Sequence, residues 1–171
     1  GIDTGPMLRQ RIVPIAPEDT RMSLATRLSE VGAELLDEAL EPFARGALVG
    51  VPQAEPQATY APRLEKAEGV LDWGQDPIRL WCRVRALYGW PGAVTALDGT
   101  PLKVHEVRPL DLLPEAGPGT IVQADAKHGV HVACGGGTLD LLEVQLPGKP
   151  RTQARELARG RILAAGMRLG A

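Results

Sequence analysis

Apolar residues recur at helical spacing through the first part of the chain. They stand three or four positions apart and comprise Leu24, Leu28, Val31, Leu35, Leu36, Ala39, Leu40 and Phe43. This spacing predicts a long amphipathic helix, with Asp19 and Thr20 as candidate N-caps and Gly46 as its stop. Residues 7–15 read as one short strand, which is too small a partner for such a helix. We therefore expect the sheet that covers the helix to lie upstream of Gly1.

The pattern changes in the next segment. Residues 47–69 contain three prolines and little periodicity, which is typical of a semi-rigid linker. A second helix follows, with Asp76 as its N-cap and Pro77 at its first position. Its spacing predicts that Ile78, Trp81 and Val84 are buried. We place the domain boundaries so that residues 1–46 end one domain, residues 47–69 link, and residues 70–171 form a second domain.

The remaining pattern is that of strands. Five short alternating runs lie at residues 93–97, 101–107, 119–125, 129–134 and 139–146. Asp-Gly and Gly-Gly pairs separate several of them, as in tight hairpins. Regular short strands with such turns predict a small β-barrel of the OB type, and hence an α+β chain. A short helix near residues 152–160 follows, ended by Gly160.

Composition narrows the classes of protein. The chain has 171 residues, 44% of them hydrophobic, and a mean hydropathy of -0.08, with no apolar run of the roughly 20 residues that span a bilayer. Cys82 and Cys134 are far apart in sequence, which favours two buried thiols over a disulfide. These features, and the lack of a secretory leader pattern, lead us to expect a cytoplasmic protein.

Charge is distributed unevenly. The net charge is -2, yet residues 147–171 carry six cations against Glu156 alone. This basic tail is either a solvated surface or one face of a nucleic-acid interface.

Several groupings of reactive residues are better explained by structure than by chemistry. His128, His131 and Cys134 stand three apart, but steps of three point to opposite faces of a strand, so we expect no metal site. The run CGGGT has no helix after it to complete a phosphate-binding loop, so a hairpin turn is the better interpretation. A Cys–His dyad stays open, although a structural thiol is the default.

Asp3 has two interpretations. It follows an apolar residue and precedes Thr-Gly-Pro, at what would be the edge of a sheet. Open α/β folds place functional groups at such edges, whereas an Asx turn would need the same residue type. The residues alone leave both possibilities open.

Six stretches, in this order and spacing, resemble methionyl-tRNA formyltransferases across nearly the whole chain. They are GIDTGPML, TYAPRLEKAEGVLDW, RALYGWPGA, DGTPLKV, PGTI and GKPRTQARELARGR. The resemblance is to the second half of that family: the end of a Rossmann-like formyltransferase domain, a linker and an OB-like barrel. It implies transfer of a formyl group from 10-formyltetrahydrofolate to the amino group of methionyl initiator tRNA in translation initiation.

The resemblance also implies site residues. The family uses an Asn, a His and an Asp, and the Asp carries over to Asp3. The chain contains no Asn, and its three His fall in the predicted barrel. We therefore expect a catalytically incomplete chain without a bound folate or metal, whose partners are the missing domain and the initiator tRNA, with no membrane or DNA. The expected tRNA phosphate contacts are Lys103, Lys149, Arg151, Arg155, Arg159 and Arg161.

Two alternatives remain open at this point. One is the second half of a sugar-nucleotide N-formyltransferase, a related enzyme with a similar barrel. The basic tail favours the tRNA enzyme, because a sugar nucleotide needs no long track of phosphate contacts. The other is a stand-alone RNA-binding or structural barrel, which the unpartnered apolar face of the first helix argues against.

Overall fold

The computed structural model describes residues 3–170, which divide into two compact units, Gly1–Arg63 and Leu64–Ala171. The predicted domain boundaries after residues 46 and 69 stay predictions.

The first unit is built around one helix, α1 (Arg21–Ala44). The Thr20 hydroxyl accepts a hydrogen bond from the Ser23 amide, and the Ser23 hydroxyl oxygen accepts one from the Thr20 amide. Thr20 is thus the N-cap, and the helix ends just before Gly46, as its sequence predicts. A 3₁₀ turn, Glu55–Gln57, follows later in the unit.

The predicted strand at residues 7–15 does not form. Met7 makes an isolated bridge with Val51, and the rest of the segment is irregular. An extended run needs a partner along its length, and within the described residues only one position finds one. The segment is held instead by side chains: Arg11 forms 2.6 Å ion pairs with Glu34 and Glu38 of α1.

The second unit holds the hydrophobic core. A 3₁₀ turn (Lys66–Gly69) leads into α2 (Pro77–Ala86), which is capped by the Asp76 carboxylate at the Ile78 amide, 2.8 Å away. Leu80 and Val84 of α2 are buried, whereas Ile78 is 52% exposed. The prediction that Ile78 is buried was wrong, because α2 turns its Leu80 face toward the sheet.

All five predicted strands form, and a sixth short strand joins them. They are β1 (Ala93–Leu97), β2 (Thr100–Leu110), β3 (Ile121–Asp125), β4 (Gly129–Cys134), β5 (Gly137–Gln145) and β6 (Thr152–Gln153), followed by helix α3 (Ala154–Arg159). The antiparallel order is β1-β2-β5-β4-β3, with β6 beside β5. The Gly135–Gly136 pair makes the two-residue hairpin between β4 and β5, as predicted. The chain is therefore α+β, with a barrel-like second unit.

The last described residues close the sheet. Leu169 forms a bridge with Leu97 of β1, and Arg168 forms one with Thr120 beside β3. Because β1 and β3 are the two ends of the strand order, residues 168–169 join its open edges. This gives the six strands a barrel-like enclosure around Leu102, Ile121 and Leu139, which are fully buried.

Candidate nucleic-acid interface

Strand β2 presents its polar residues outward in a broken alternation. Leu102 and Val104 are buried, then His105 and Glu106 stand together, and Val107 is buried again. The register between β2 and β5 shifts at this point, which identifies a β-bulge. Arg108 would face inward under strict alternation, and the bulge turns it outward.

Three of the predicted tRNA contacts gather at the start of β2. Lys103 lies opposite Gln145 of β5, and the Gln145 side-chain amide donates to the Lys149 carbonyl oxygen at 2.8 Å. Arg151 follows in the same loop and lies 3.5 Å from the Glu143 carboxylate of β5. We call Lys103, Lys149 and Arg151 the basic cluster. Within residues 3–170, the Lys103 and Lys149 side chains have no carboxylate within ion-pair distance, so both charges are available to an anion.

The Arg151 side chain is held in place by Tyr88. Its guanidinium donates to the Tyr88 hydroxyl at 2.9 Å and lies 5.4 Å from the centre of the Tyr88 ring. The hydrogen bond to Tyr88 raises the pKa of Arg151, so the group remains a cation. Tyr88 lies at the end of α2, 63 residues away in sequence, and sequence reasoning gave it no role.

His105 lies beside the basic cluster, and its surroundings disfavour the protonated form. Burial, followed by the nearby charges of Arg151 and Lys103, lowers the pKa of His105. The Gln145 amide nitrogen is used by Lys149, so its oxygen faces His105 at 3.1 Å and the His105 Nε2 carries the hydrogen. Disfavouring the imidazolium limits the positive charge that accumulates beside Lys103 and Arg151.

The other predicted contacts lie elsewhere. Arg155, on α3, borders a cleft together with Arg108 and Lys127, neither of which the sequence analysis selected. Arg159 pairs with Glu156 at 3.2 Å, and Arg161 has a positive φ of 58° after the end of α3. The structure thus separates the six residues into the basic cluster, Arg155 in its own cleft, and two arginines at the end of α3.

Asp3 lies in the first unit on an exposed turn. Its φ is 64°, and its carbonyl oxygen accepts a 2.9 Å hydrogen bond from the Gln53 side chain. An open cleft of about 490 Å³ borders it, lined by Asp3, Thr4, Met7, Gln10, Pro52, Gln53, Ala54, Glu55, Gln57 and Ala58. All three histidines belong to the second unit, so none shares this unit with Asp3.

The prediction of two buried thiols holds for Cys134 and is wrong for Cys82, because the exposed Cys82 lies on the side of α2 opposite the buried Leu80 and Val84. His128 lies in the β3–β4 turn, paired with Asp125 at 3.0 Å, and that hydrogen bond lowers the pKa of the Asp125 carboxyl. Cys134 is buried, and burial raises the pKa of its thiol to about 12, whereas Cys82 is exposed. Between residues 3 and 170, no three His, Cys, Asp or Glu side chains are grouped to hold a metal ion. None of the helices there is long and apolar enough to cross a membrane.

Comparison with known proteins gives a consistent result. Residues 63–161 match the family described as the formyl transferase C-terminal domain. The chain is 42% identical over 167 residues to the methionyl-tRNA formyltransferase of Trichlorobacter lovleyi, covering 97% of this chain and 52% of that protein. It is 45% identical over 169 residues to the same-named protein of Methylococcus capsulatus, covering 99% and 54%. The chain therefore spans about half the length of these curated relatives.

Solved structures support the fold. A crystal structure of HypX from Aquifex aeolicus in complex with tetrahydrofolic acid superimposes with a TM-score of 0.64. The match has 23% sequence identity and covers 91% of this chain and 27% of HypX.

Proposed function

The chain belongs to the formyl transferase C-terminal domain family, and from this premise we propose that it is the tRNA-holding part of a methionyl-tRNA formyltransferase. The observation that carries the proposal is identity of 40–45% along nearly the whole chain with proteins of that name. The basic cluster supplies the physical means, because three cations at one end of a barrel-like sheet suit a phosphate backbone.

The reaction of the whole enzyme follows from the same proposal. A formyl group passes from the co-substrate 10-formyltetrahydrofolate to the amino group of methionyl initiator tRNA. Asp3 is the residue of this chain that would serve catalysis, by accepting a proton from the attacking amine or orienting a neighbouring base. Such a site also needs an Asn and a His, and the chain contains no Asn, so we propose that residues 1–171 do not catalyse formyl transfer by themselves.

The proposed RNA contacts differ in strength. Lys103 and Lys149 are unpaired in the described chain, so binding a phosphate costs them no existing ion pair. Arg151 shares its charge with Glu143 but is oriented by Tyr88, which lowers the entropy lost when it contacts an anion. Arg159 would have to break its ion pair with Glu156 to contact a phosphate, so we expect it to contribute least to RNA binding.

A salt titration of binding to methionyl initiator tRNA tests the proposal. Each lost phosphate contact reduces the slope of log K against log salt by about 0.7–0.9, so Lys149→Gln with Arg151→Gln should reduce it by about 1.5. Arg168→Gln is the matched control, because Arg168 is an exposed cation on the closing segment, away from the basic cluster. It should change the slope by less than about 0.3.

Two results would contradict the proposal. If the wild-type chain does not bind tRNA at low salt, the barrel is not an RNA-holding module, and the sugar-nucleotide formyltransferases become the better relatives. If the double variant and the control have equal slopes, RNA binds somewhere other than the basic cluster.

A further inference from the structure

A second cleft opens where strand β5 changes partners. β5 pairs with β4 as far as Leu141 and with β6 from Glu143 onward, so Leu142 between them has no partner on that side. We call this opening the strand-exchange cleft. Its lining consists of Arg108, Lys127, His128, Gly129, Asp140, Leu141, Leu142, Gln153 and Arg155.

The size of the strand-exchange cleft limits what it can hold. Its volume is about 160 Å³. Sites for drug-sized molecules usually measure about 300–1,000 Å³. The cleft therefore suits a group of a few atoms that belongs to a larger ligand, such as one phosphate of a chain.

Three cations reach the cleft from three separate elements. Arg108 comes from β2, Lys127 from the β3–β4 turn and Arg155 from α3. Arg108 donates to the Asp140 carboxylate at 2.8 Å, and Asp140 is 3% exposed, so these two charges compensate each other. Lys127 and Arg155 have no ion-pair partner among residues 3–170. No ion pair therefore holds either side chain away from an anion in the cleft.

The strand-exchange cleft is separate from the basic cluster. Lys103 and Arg108 are five residues apart on β2, which corresponds to about 16 Å. Glu106 and Glu143 face each other on the strands between them. This acidic pair interrupts the positive charge along β2 between Lys103 and Arg108.

We propose that the strand-exchange cleft binds a phosphate of the RNA backbone through Lys127 and Arg155, as a second anchoring point beside the basic cluster. This inference rests on the proposed function. The guanidinium fork of Arg155 matches two phosphate oxygens, and Lys127 adds a compact point charge. One RNA carries phosphates at regular intervals, so it can occupy both sites and gain from their linkage.

Salt titrations of the full chain with methionyl initiator tRNA test the cleft. Lys127→Gln with Arg155→Gln should reduce the slope by about 1.5 and weaken binding roughly tenfold or more at 100 mM salt. Combining these changes with Lys149→Gln and Arg151→Gln should roughly double the loss of slope, since the two sites contact different phosphates. Arg168→Gln again serves as the control.

The outcomes separate this inference from the proposed function. If the basic-cluster variant loses slope and the cleft variant behaves like Arg168→Gln, the cleft is not an RNA site and the proposed function stands. If the wild type binds no tRNA, the proposed function fails. Inorganic phosphate then tests the cleft: it should shift the backbone amide NMR signals of Gly129 and Leu142 in the wild type but not in the cleft variant. Unshifted signals would overturn the inference.

Discussion

Replacing Gly135 with alanine should destabilise the second unit strongly. Gly135 begins the β4–β5 hairpin turn, and its backbone lies against residues 73–75, which precede α2. A Cβ built at this position would lie 1.9 Å from the Gly74 carbonyl oxygen and 2.7 Å from its carbonyl carbon. Both neighbouring atoms are backbone, so no side chain can turn aside to make room.

The loss of stability can be worked out from the separation that the new Cβ forces between the backbones of Gly135 and Gly74. A carbon–oxygen contact of about 3.2 Å requires the two backbones to move apart by more than 1 Å. The Gly135 amide donates to the carbonyl oxygens of Trp73 and Gln75, both at 3.0 Å, and this movement would break or lengthen both bonds. Each is worth about 1 kcal/mol, and a buried donor left unpaired costs about 1–3 kcal/mol more. We expect a loss of about 2–4 kcal/mol in the free energy of unfolding.

Urea unfolding followed by far-UV circular dichroism measures this loss. The control is Gly117→Ala, since a Cβ at Gly117 meets nothing within 4 Å and its φ is not in the left-handed region. That variant should stay within about 0.5 kcal/mol of the wild type. If Gly135→Ala loses less than about 1 kcal/mol, the close approach between the hairpin and residues 73–75 does not exist.

Three further predictions concern individual side chains. A maleimide should label Cys82 in the native chain and Cys134 only after unfolding, because burial raises the Cys134 pKa to about 12; equal labelling rates would contradict this. Because burial lowers the pKa of His105, the folded state binds fewer protons there, so its contribution to stability falls as pH drops below about 6.5. His105→Gln should therefore flatten the pH dependence of unfolding between pH 5 and 7, and an unchanged profile would count against the burial argument. In a chimera with the first half of the Methylococcus capsulatus relative, Asp3→Asn should lower the formylation rate at least about 100-fold, with Glu18→Gln as the control; an active Asp3→Asn chimera would exclude Asp3 from catalysis.

Local chemistry in the sequence accounts for most elements of the fold. The hydroxyl of Thr20 and the carboxylate of Asp76 each accept hydrogen bonds from backbone amides in the first turn of the helix that follows. Those amides lie only two or three residues further along the chain. The Asp98–Gly99 pair reverses the chain between β1 and β2 in the same local way. Such signals depend only on near neighbours, and so the sequence shows them without the fold.

The candidate site was only partly accessible to the same reasoning. The family resemblance, together with the basic tail, pointed to Lys149, Arg151 and Arg155, but not to how they are grouped. Lys103 and Lys149 come together because β2 and β5 pair. Neither segment's sequence predicts which strand it will pair with. Arg108 was missed, although the two polar residues between Val104 and Val107 are the signal of the bulge that turns it outward.

Tertiary structure decided the features that depend on distant partners. Residues 168–169 carry no strand pattern, yet they bridge both edges of the sheet, because those edges offer unpaired backbone groups. Leu80, not Ile78, became the core residue of α2 because the sheet lies against that side of the helix. The sequence by itself determined the helices with their caps and five strands of the second unit, since these rest on contacts within a few residues, whereas the strand expected at residues 7–15 found a partner only at Met7. Which charges share a cleft was decided by strand pairing, which joins residues far apart in the chain.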